Sequence, residues 1–247
     1  MVKENLKVVY NKQIALDTFE MKLETSNMAS FAKPGMFINI SLKDESKLLK
    51  RPISICQIDG NNLVITYKIN GEGTKQMATY ESGTILETIG PLGNGFTLVE
   101  NKKALVVGGG IGVPPLLELS RKLKELGNEL IIILAFRNKE SMIYLEEFET
   151  LGKVIVTTDD GSYGFKGNAI EYLNNNEVKF DTLYSCGPEI LLKKLEEKYV
   201  GYEGYLSYEA RMACGVGLCH GCVKGEKHYC VCTDGPVFKL GVIYGEC

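Results

Sequence analysis

The sequence predicts a multi-domain chain: an antiparallel β-barrel, an α/β domain built on a parallel sheet, and a small cysteine-rich region. Three observations carry this. Residues 1–98 break into short apolar or alternating runs between Gly, Pro, Asn and Asp. Residues 99–208 alternate apolar runs with helical stretches. Residues 209–247 hold six of the chain's eight cysteines, five of them, Cys214, Cys219, Cys222, Cys230 and Cys232, within 214–232.

In the first segment, LKVVYN, MFINISL, LVITYKI and TILETIG have the length, β-branched content and turn-forming borders of barrel strands. Two stretches there carry chemistry. In Lys50-Arg51-Pro52-Ile53-Ser54-Ile55, the planar fork of Arg51 suits a phosphate, Pro52 stiffens the backbone and Ser54 offers a hydroxyl. In Tyr67-Lys68-Ile69-Asn70-Gly71-Glu72-Gly73-Thr74, Thr74 is expected to cap a helix over KQMATY whose free amides face a second phosphate. Each also reads as ordinary structure, a strand-start proline and a hairpin turn. Together they point to an anionic ligand.

In the second segment, ALVVGGG, ELIIILAF, VIVTTDD and TLYSCG alternate with PLLELSRKLKELG, SMIYLEEFETLG, NAIEYLNNN and EILLKKLEEKY. That alternation implies parallel strands joined by right-handed crossovers. The strand ending in Gly108-Gly109-Gly110-Ile111-Gly112-Val113-Pro114 runs straight into a helix, which lets backbone amides approach a pyrophosphate. The match to G-x-G-x-x-G fails at Val113, so a purely structural glycine turn is the competing reading. Thr158-Asp159-Asp160 and Ser185-Cys186-Gly187-Pro188 supply two further strand ends, where open α/β sheets bind ligands. Arg137 either meets a 2′-phosphate or is a solvated loop charge, so physics alone leaves NAD and NADP open.

Composition narrows the classes of function. The 247 residues are 45% apolar and 24% charged, with a formal net charge of −3. Basic and acidic residues alternate, so nucleic acid and anionic membrane are not expected partners. The start MVKENLKVVYNKQ has no apolar h-region, and no apolar run approaches the roughly 18 residues of a membrane span. A cytoplasmic chain is the expectation, and in a reducing compartment clustered cysteines read as metal or redox ligands.

Cys214, Cys219 and Cys222 are spaced C-x4-C-x2-C, with a fourth thiolate at Cys230 or Cys232. This is the plant-type [2Fe–2S] order, in which two sulfide-bridged irons take four thiolates, three from one tight loop. A zinc site competes, but Cys230-Val-Cys232 is too tight for a second zinc knuckle. A Rieske centre needs two His ligands, and His220 and His228 are not in a C-x-H arrangement. His220 reads as a solvated loop residue, and Cys56, Cys186 and Cys247 read as packing.

The motifs RPIS at 51–54, YKI…GT at 67–74, GGGIGVPP at 108–115 and SCGP at 185–188 resemble the ferredoxin reductase-type flavoprotein family. With the tail MACGVGLCHGC…VCTDGPVF added, the chain is similar to the electron-transfer subunits of NAD-dependent dihydroorotate dehydrogenase B. The resemblance implies an FAD-binding barrel over 1–98, an NAD-binding domain over 99–208 and a ferredoxin-like [2Fe–2S] region over 209–247. It implies Arg51, Pro52, Ile53, Ser54, Thr66, Tyr67 and Lys68 along the flavin, with Gly73 and Thr74 at its pyrophosphate. It puts Gly108, Gly109, Gly110, Gly112, Asp159 and Cys186 at the nucleotide. The V-C-x-D-G-P-V-F context selects Cys232, beside Cys214, Cys219 and Cys222, as the fourth ligand. The chain departs from the family pattern in its short Cys222-to-Cys232 segment and in the extra thiol of Cys230.

The family's role implies a catalytic partner that carries FMN and the dihydroorotate site, two copies of each subunit, and no catalytic base in this chain. Electrons then run from partner to cluster to FAD to NAD⁺ in pyrimidine biosynthesis. Two other roles compete: a subunit passing electrons between a nicotinamide and ferredoxin or a sulfur compound, and a zinc-stapled nucleotide-binding module without redox chemistry.

Overall fold

The structure is a computed structural model that describes residues 1–44 and 46–245. Cys247 lies outside the described residues. Six strands, β1 (Val2–Ala15), β2 (Thr18–Glu24), β3 (Phe37–Ile40), β4 (Arg51–Asp59), β5 (Asn62–Lys68) and β6 (Ile85–Leu92), close into a barrel. Its order is β1-β2-β5-β4-β3-β6, every neighbouring pair antiparallel. The pairs Leu6 and Val8, Met21 and Leu23, Ile38 and Ile40, and Leu63 and Ile65 are all buried in one cluster. Their two-residue spacing sends one face of each strand into the barrel. Each such side chain contributes about 1.5–3 kcal/mol of transfer free energy, an upper bound because the unfolded chain already hides some surface. Helices α1 (Met28–Phe31) and α2 (Glu72–Met77) fill the connections after β2 and β5.

The second unit follows the predicted alternation. Strands β7 (Lys103–Gly109), β8 (Glu129–Phe136), β9 (Lys153–Thr158), β10 (Phe165–Lys166), β11 (Thr182–Cys186) and β12 (Glu203–Ser207) pair in parallel, in the order β10-β9-β8-β7-β11-β12. Helices α3 (Pro115–Glu125), α4 (Leu145–Glu149), α5 (Ala169–Asn175) and α6 (Glu189–Lys198) connect them. Ala104 to Val107 and Ile132 to Leu134 are wholly buried, which is why β7 and β8 read as unbroken apolar runs. From β7 the chain winds outward through β8, β9 and β10, then returns to β11 on the other side. The switch point therefore lies between β7 and β11, where such sheets open a crevice at the strands' carboxyl ends.

The tail is short of regular structure. Strands β13 (Val223–Lys224) and β14 (Tyr229–Cys230) form a hairpin, and β15 (Val237–Lys239) adds antiparallel to β12 at the edge of the α/β sheet. The return of β15 to that sheet has no counterpart in the sequence reading, since three residues are too few to show a period. Asn94, just past the barrel, fastens it: its amide donates to Asp234 O (2.8 Å) and Val237 O (3.0 Å) and its Oδ1 accepts from Val237 N (3.0 Å). The DGPVF stretch is thus a structural strap as well as a motif. Among the described residues, no helix is long and apolar enough to cross a membrane.

Candidate functional site

A cleft of about 440 Å³ runs between barrel, α/β unit and tail. The barrel side supplies Pro52, Ile53 and Ser54 from β4 and Thr66, Tyr67 and Lys68 from β5. The opposite wall is Ile111 and Pro115, and the tail closes it with Tyr208, Glu209, Met212 and Pro236. Through Asn70 and Thr74 the cleft continues into a second hollow of about 570 Å³, which Arg51, Lys47, Gly71 and Gly73 help to line. Here the glycine has a specific cause: a Cβ at Gly73 would fall 2.1 Å from Arg51 Nε, so only Gly lets the guanidinium lie across the start of α2. Arg51 Nη1 also donates to Leu49 O at 2.5 Å, which holds the fork in place.

Thr74 departs from the sequence expectation. Helix α2 begins at Glu72 with Gly71 as its N-cap, so Thr74 stands inside the first turn and does not cap it. The Thr74 hydroxyl accepts from Asn70 N (2.8 Å) and donates to Gly71 O (3.2 Å), and so stabilises the loop that leads into the helix. The Tyr67 ring points into the barrel core, stacked on Phe19, with its hydroxyl donated to Asn11 Oδ1 at 2.8 Å.

At the switch point a third hollow of about 410 Å³ is walled by Gly109, Gly110, Arg137, Asp159, Ile170, Pro188 and Leu191, among others. Gly110 has φ +53° and nothing within 4 Å of an added Cβ, so its backbone is open to a ligand. Gly108, Gly112 and Cys186 lie behind this wall. A Cβ on Gly108 would meet Val113 Cγ2 at 2.9 Å, and one on Gly112 would sit 2.5 Å from the Cys186 carbonyl. These two glycines serve the close packing of α3 onto the sheet. Burial pushes the Cys186 thiol far up, so it stays protonated.

The cysteine loop shows a regular pattern of amide donors. Cys214 Sγ accepts from Val216 N and Cys219 N (both 3.4 Å), Cys219 Sγ from Gly221 N (3.4 Å), Cys222 Sγ from Cys232 N (3.4 Å) and Cys232 Sγ from Gly217 N (3.2 Å). Gly215 and Gly217, at φ +70° and +82°, turn the amides inward. The Val216 amide, with help from Cys219, lowers the Cys214 thiol to about 6. Cys230 differs: its Sγ meets His220 Nδ1 at 3.6 Å, and His220 is exposed. Among the described residues no three His, Cys, Asp or Glu side chains converge on one point as ligands of a single ion do. The loop backs onto the cleft, because Met212 precedes Cys214 by two residues and Pro236 follows Cys232 by four, and both line it. Asn39 of β3, wholly buried, reaches Cys214 O at 3.5 Å.

Residues 209–243 match the family described as the iron-sulfur cluster binding domain of dihydroorotate dehydrogenase B. Over 98% of its length the chain is 42% identical to the dihydroorotate dehydrogenase B (NAD(+)) electron transfer subunit of Bacillus cereus strain B4264, and covers 99% of that protein. The chain belongs to this family of electron transfer subunits. A Bacillus anthracis member is 41% identical over the same shares. Among solved structures, a chain of the NADH-dependent reduced ferredoxin-NADP oxidoreductase superposes with TM-score 0.87 at 30% identity, over 96% of this chain and 89% of that one. Phthalate dioxygenase reductase, at 18% identity, TM-score 0.66, and 90% and 86% coverage, shares the fold.

Set against this family, the barrel, the parallel sheet and the cysteine-rich end are as the sequence predicts. The cleft brings together Arg51, Pro52, Ile53, Ser54, Thr66, Tyr67, Lys68, Gly73 and Thr74, and the crevice Gly109, Gly110 and Asp159. Sequence reasoning missed Tyr208, Glu209, Met212 and Pro236. Only the closeness of Met212 to the first cysteine of the run hinted at one of them.

Proposed function

We propose that this chain carries electrons from a catalytic partner that oxidises dihydroorotate, through a [2Fe–2S] cluster and FAD, to NAD⁺. The observation that carries the reading is the three-sided cleft: β4 and β5, the start of α3, and both flanks of the cysteine loop meet at one hollow. When bound, the cluster supplies one-electron transfer, the nicotinamide takes a hydride, and the flavin converts between the two. The chain's task is to hold the three sites side by side.

The residues fit these groups. Each of Cys214, Cys219, Cys222 and Cys232 receives an amide N–H at sulfur, the environment that stabilises cluster thiolates and tunes their potential. Cys230, which faces His220 instead, stays outside the set. The paired hollows of about 440 and 570 Å³ suit an extended dinucleotide, with Arg51 at the phosphate end and Ser54 near the ring end. The hollow at the carboxyl ends of β7 and β8 suits NAD, with the open Gly110 backbone toward its phosphates and Asp159 toward a ribose.

Arg51→Ala is expected to weaken FAD binding by roughly 10–100-fold, the loss of a charge-assisted pair of hydrogen bonds. Flavin retained after gel filtration, measured by absorbance, checks it. We further assign the boundaries 1–98, 99–208 and 209–247, a cytoplasmic setting, FMN in the partner, and an assembly of two copies of each subunit.

The likeness to the NADH-dependent reduced ferredoxin-NADP oxidoreductase chain favours one second reading, a subunit that exchanges electrons between a nicotinamide and ferredoxin. Anaerobic purification separates redox from non-redox roles: flavin and iron–sulfur absorption bands with an EPR signal on reduction are expected. Their absence would leave a zinc-stapled module. Dihydroorotate-dependent activity with a co-expressed partner then separates the two redox roles.

A further inference from the structure

Tyr144 opens α4 on the nucleotide side, seven residues beyond Arg137 in the wall of the NAD hollow. Its φ of +61° is rare for a bulky residue and persists only where surroundings impose it. The surroundings belong to the barrel. The buried Tyr144 hydroxyl donates to Glu20 Oε2 on β2 (2.7 Å) and accepts from Thr66 Oγ1 on β5 (2.6 Å). Thr66 lines the flavin cleft. Glu20 is held on its other oxygen by the Tyr10 hydroxyl (2.8 Å) and the Lys12 ammonium (3.1 Å). One hydroxyl therefore ties the segment that follows Arg137, at the start of α4, to Thr66 in the wall of the flavin cleft and to Glu20 behind it.

We propose that Tyr144 is a positioning residue for hydride transfer, fixing the distance between the nicotinamide and flavin sites through its bonds to Glu20 and Thr66. The inference rests on the functional reading above. Reaction needs the exchanging atoms at about 3–3.5 Å, and a displacement near 1 Å costs on the order of 100-fold in rate. Other contacts keep the two units docked when this hydroxyl is removed: Leu16 N donates to Glu140 O (3.2 Å), Arg121 Nη1 to Gln57 Oε1 (2.8 Å) and Ile58 N to Glu118 Oε2 (3.3 Å). Tyr144→Phe thus loosens the alignment without separating the units, and none of the residues walling the NAD hollow is altered.

The test uses the full chain loaded with FAD and cluster. NADH is mixed with it anaerobically, so that a hydride and a solvent proton reduce the flavin and release NAD⁺. In Tyr144→Phe the flavin-reduction rate at saturating NADH is expected to fall roughly tenfold or more, and the long-wavelength charge-transfer band of the nicotinamide–flavin pair to weaken. NAD⁺ affinity and the cluster EPR signal are expected to stay unchanged. Glu20→Ala, at a residue outside both hollows, is expected to lower the rate in the same direction, the double variant falling no further than Tyr144→Phe, and it carries the test alone if Tyr144→Phe does not fold. A lowered melting temperature with a wild-type reduction rate and an intact charge-transfer band in these variants would overturn the proposal and leave Tyr144 purely structural. Wild-type protein that binds flavin yet is not bleached by NADH would overturn the functional reading, and this inference with it.

Discussion

Cys232→Ser is expected to leave the protein without the iron–sulfur absorption bands and without the EPR signal of the reduced cluster, whereas Cys230→Ser keeps both. The two thiols are two residues apart, and both are buried, so neither spacing nor burial separates them. Amide geometry does. Cys232 is held into the loop from both ends, its sulfur accepting from Gly217 N at 3.2 Å and its own amide donating to Cys222 Sγ at 3.4 Å. Cys230 meets His220 on its sulfur side, and its amide is spent on Asp234 Oδ2 at 2.7 Å. Iron and sulfide content per chain provides the second readout. Loss of the cluster in Cys230→Ser with retention in Cys232→Ser would reverse the ligand assignment.

The second large effect is expected at the switch point. In Gly112→Ala the new methyl would lie 2.5 Å from Cys186 C, Cys186 O and Gly187 Cα, all backbone of the β11 end that cannot swing away. Either α3 or β11 must shift, at a cost of about 3 kcal/mol, the upper end for overpacking. Because that shift also distorts the crevice, NAD affinity is expected to fall at least roughly tenfold, equivalent to about 1.4 kcal/mol. Gly110→Ala provides the control. It keeps φ near +53° with no atom in the way, so its cost is the left-handed backbone alone, roughly 1–2 kcal/mol. Chemical denaturation midpoints distinguish the two variants, and an NAD titration of Gly112→Ala against the unsubstituted protein checks the loss of affinity. Equal midpoints would mean that the glycines are interchangeable and that the packing argument is wrong.

These cases mark what is legible in the sequence. The cysteine spacing is local chemistry written in one loop, so the cluster could be read directly, and the barrel and sheet follow from periods of two and from unbroken apolar runs. The glycine stretch was legible as a turn but not in its division of labour: Gly110 faces open space, while Gly108 and Gly112 are consumed by contacts with Val113 and with the end of β11. Nothing local says which is which. Thr74 misleads for a related reason, since a hydroxyl two residues inside a helix looks like a cap until the helix start is known. Tyr208, Glu209, Met212 and Pro236 line the cleft only because the tail returns past it and β15 joins β12. Tyr144 likewise acquires meaning from Glu20, a partner 124 positions away.

The most direct test of the electron path is made on the complex with the catalytic partner subunit. Given dihydroorotate and NAD⁺ without oxygen, the wild-type complex is expected to form NADH mole for mole with the dihydroorotate consumed. A complex carrying Cys232→Ser is expected to lose that activity while still oxidising dihydroorotate with an artificial acceptor. NADH formation at the wild-type rate without the cluster, or none from a complex with all its cofactors in place, would contradict the path proposed for this chain.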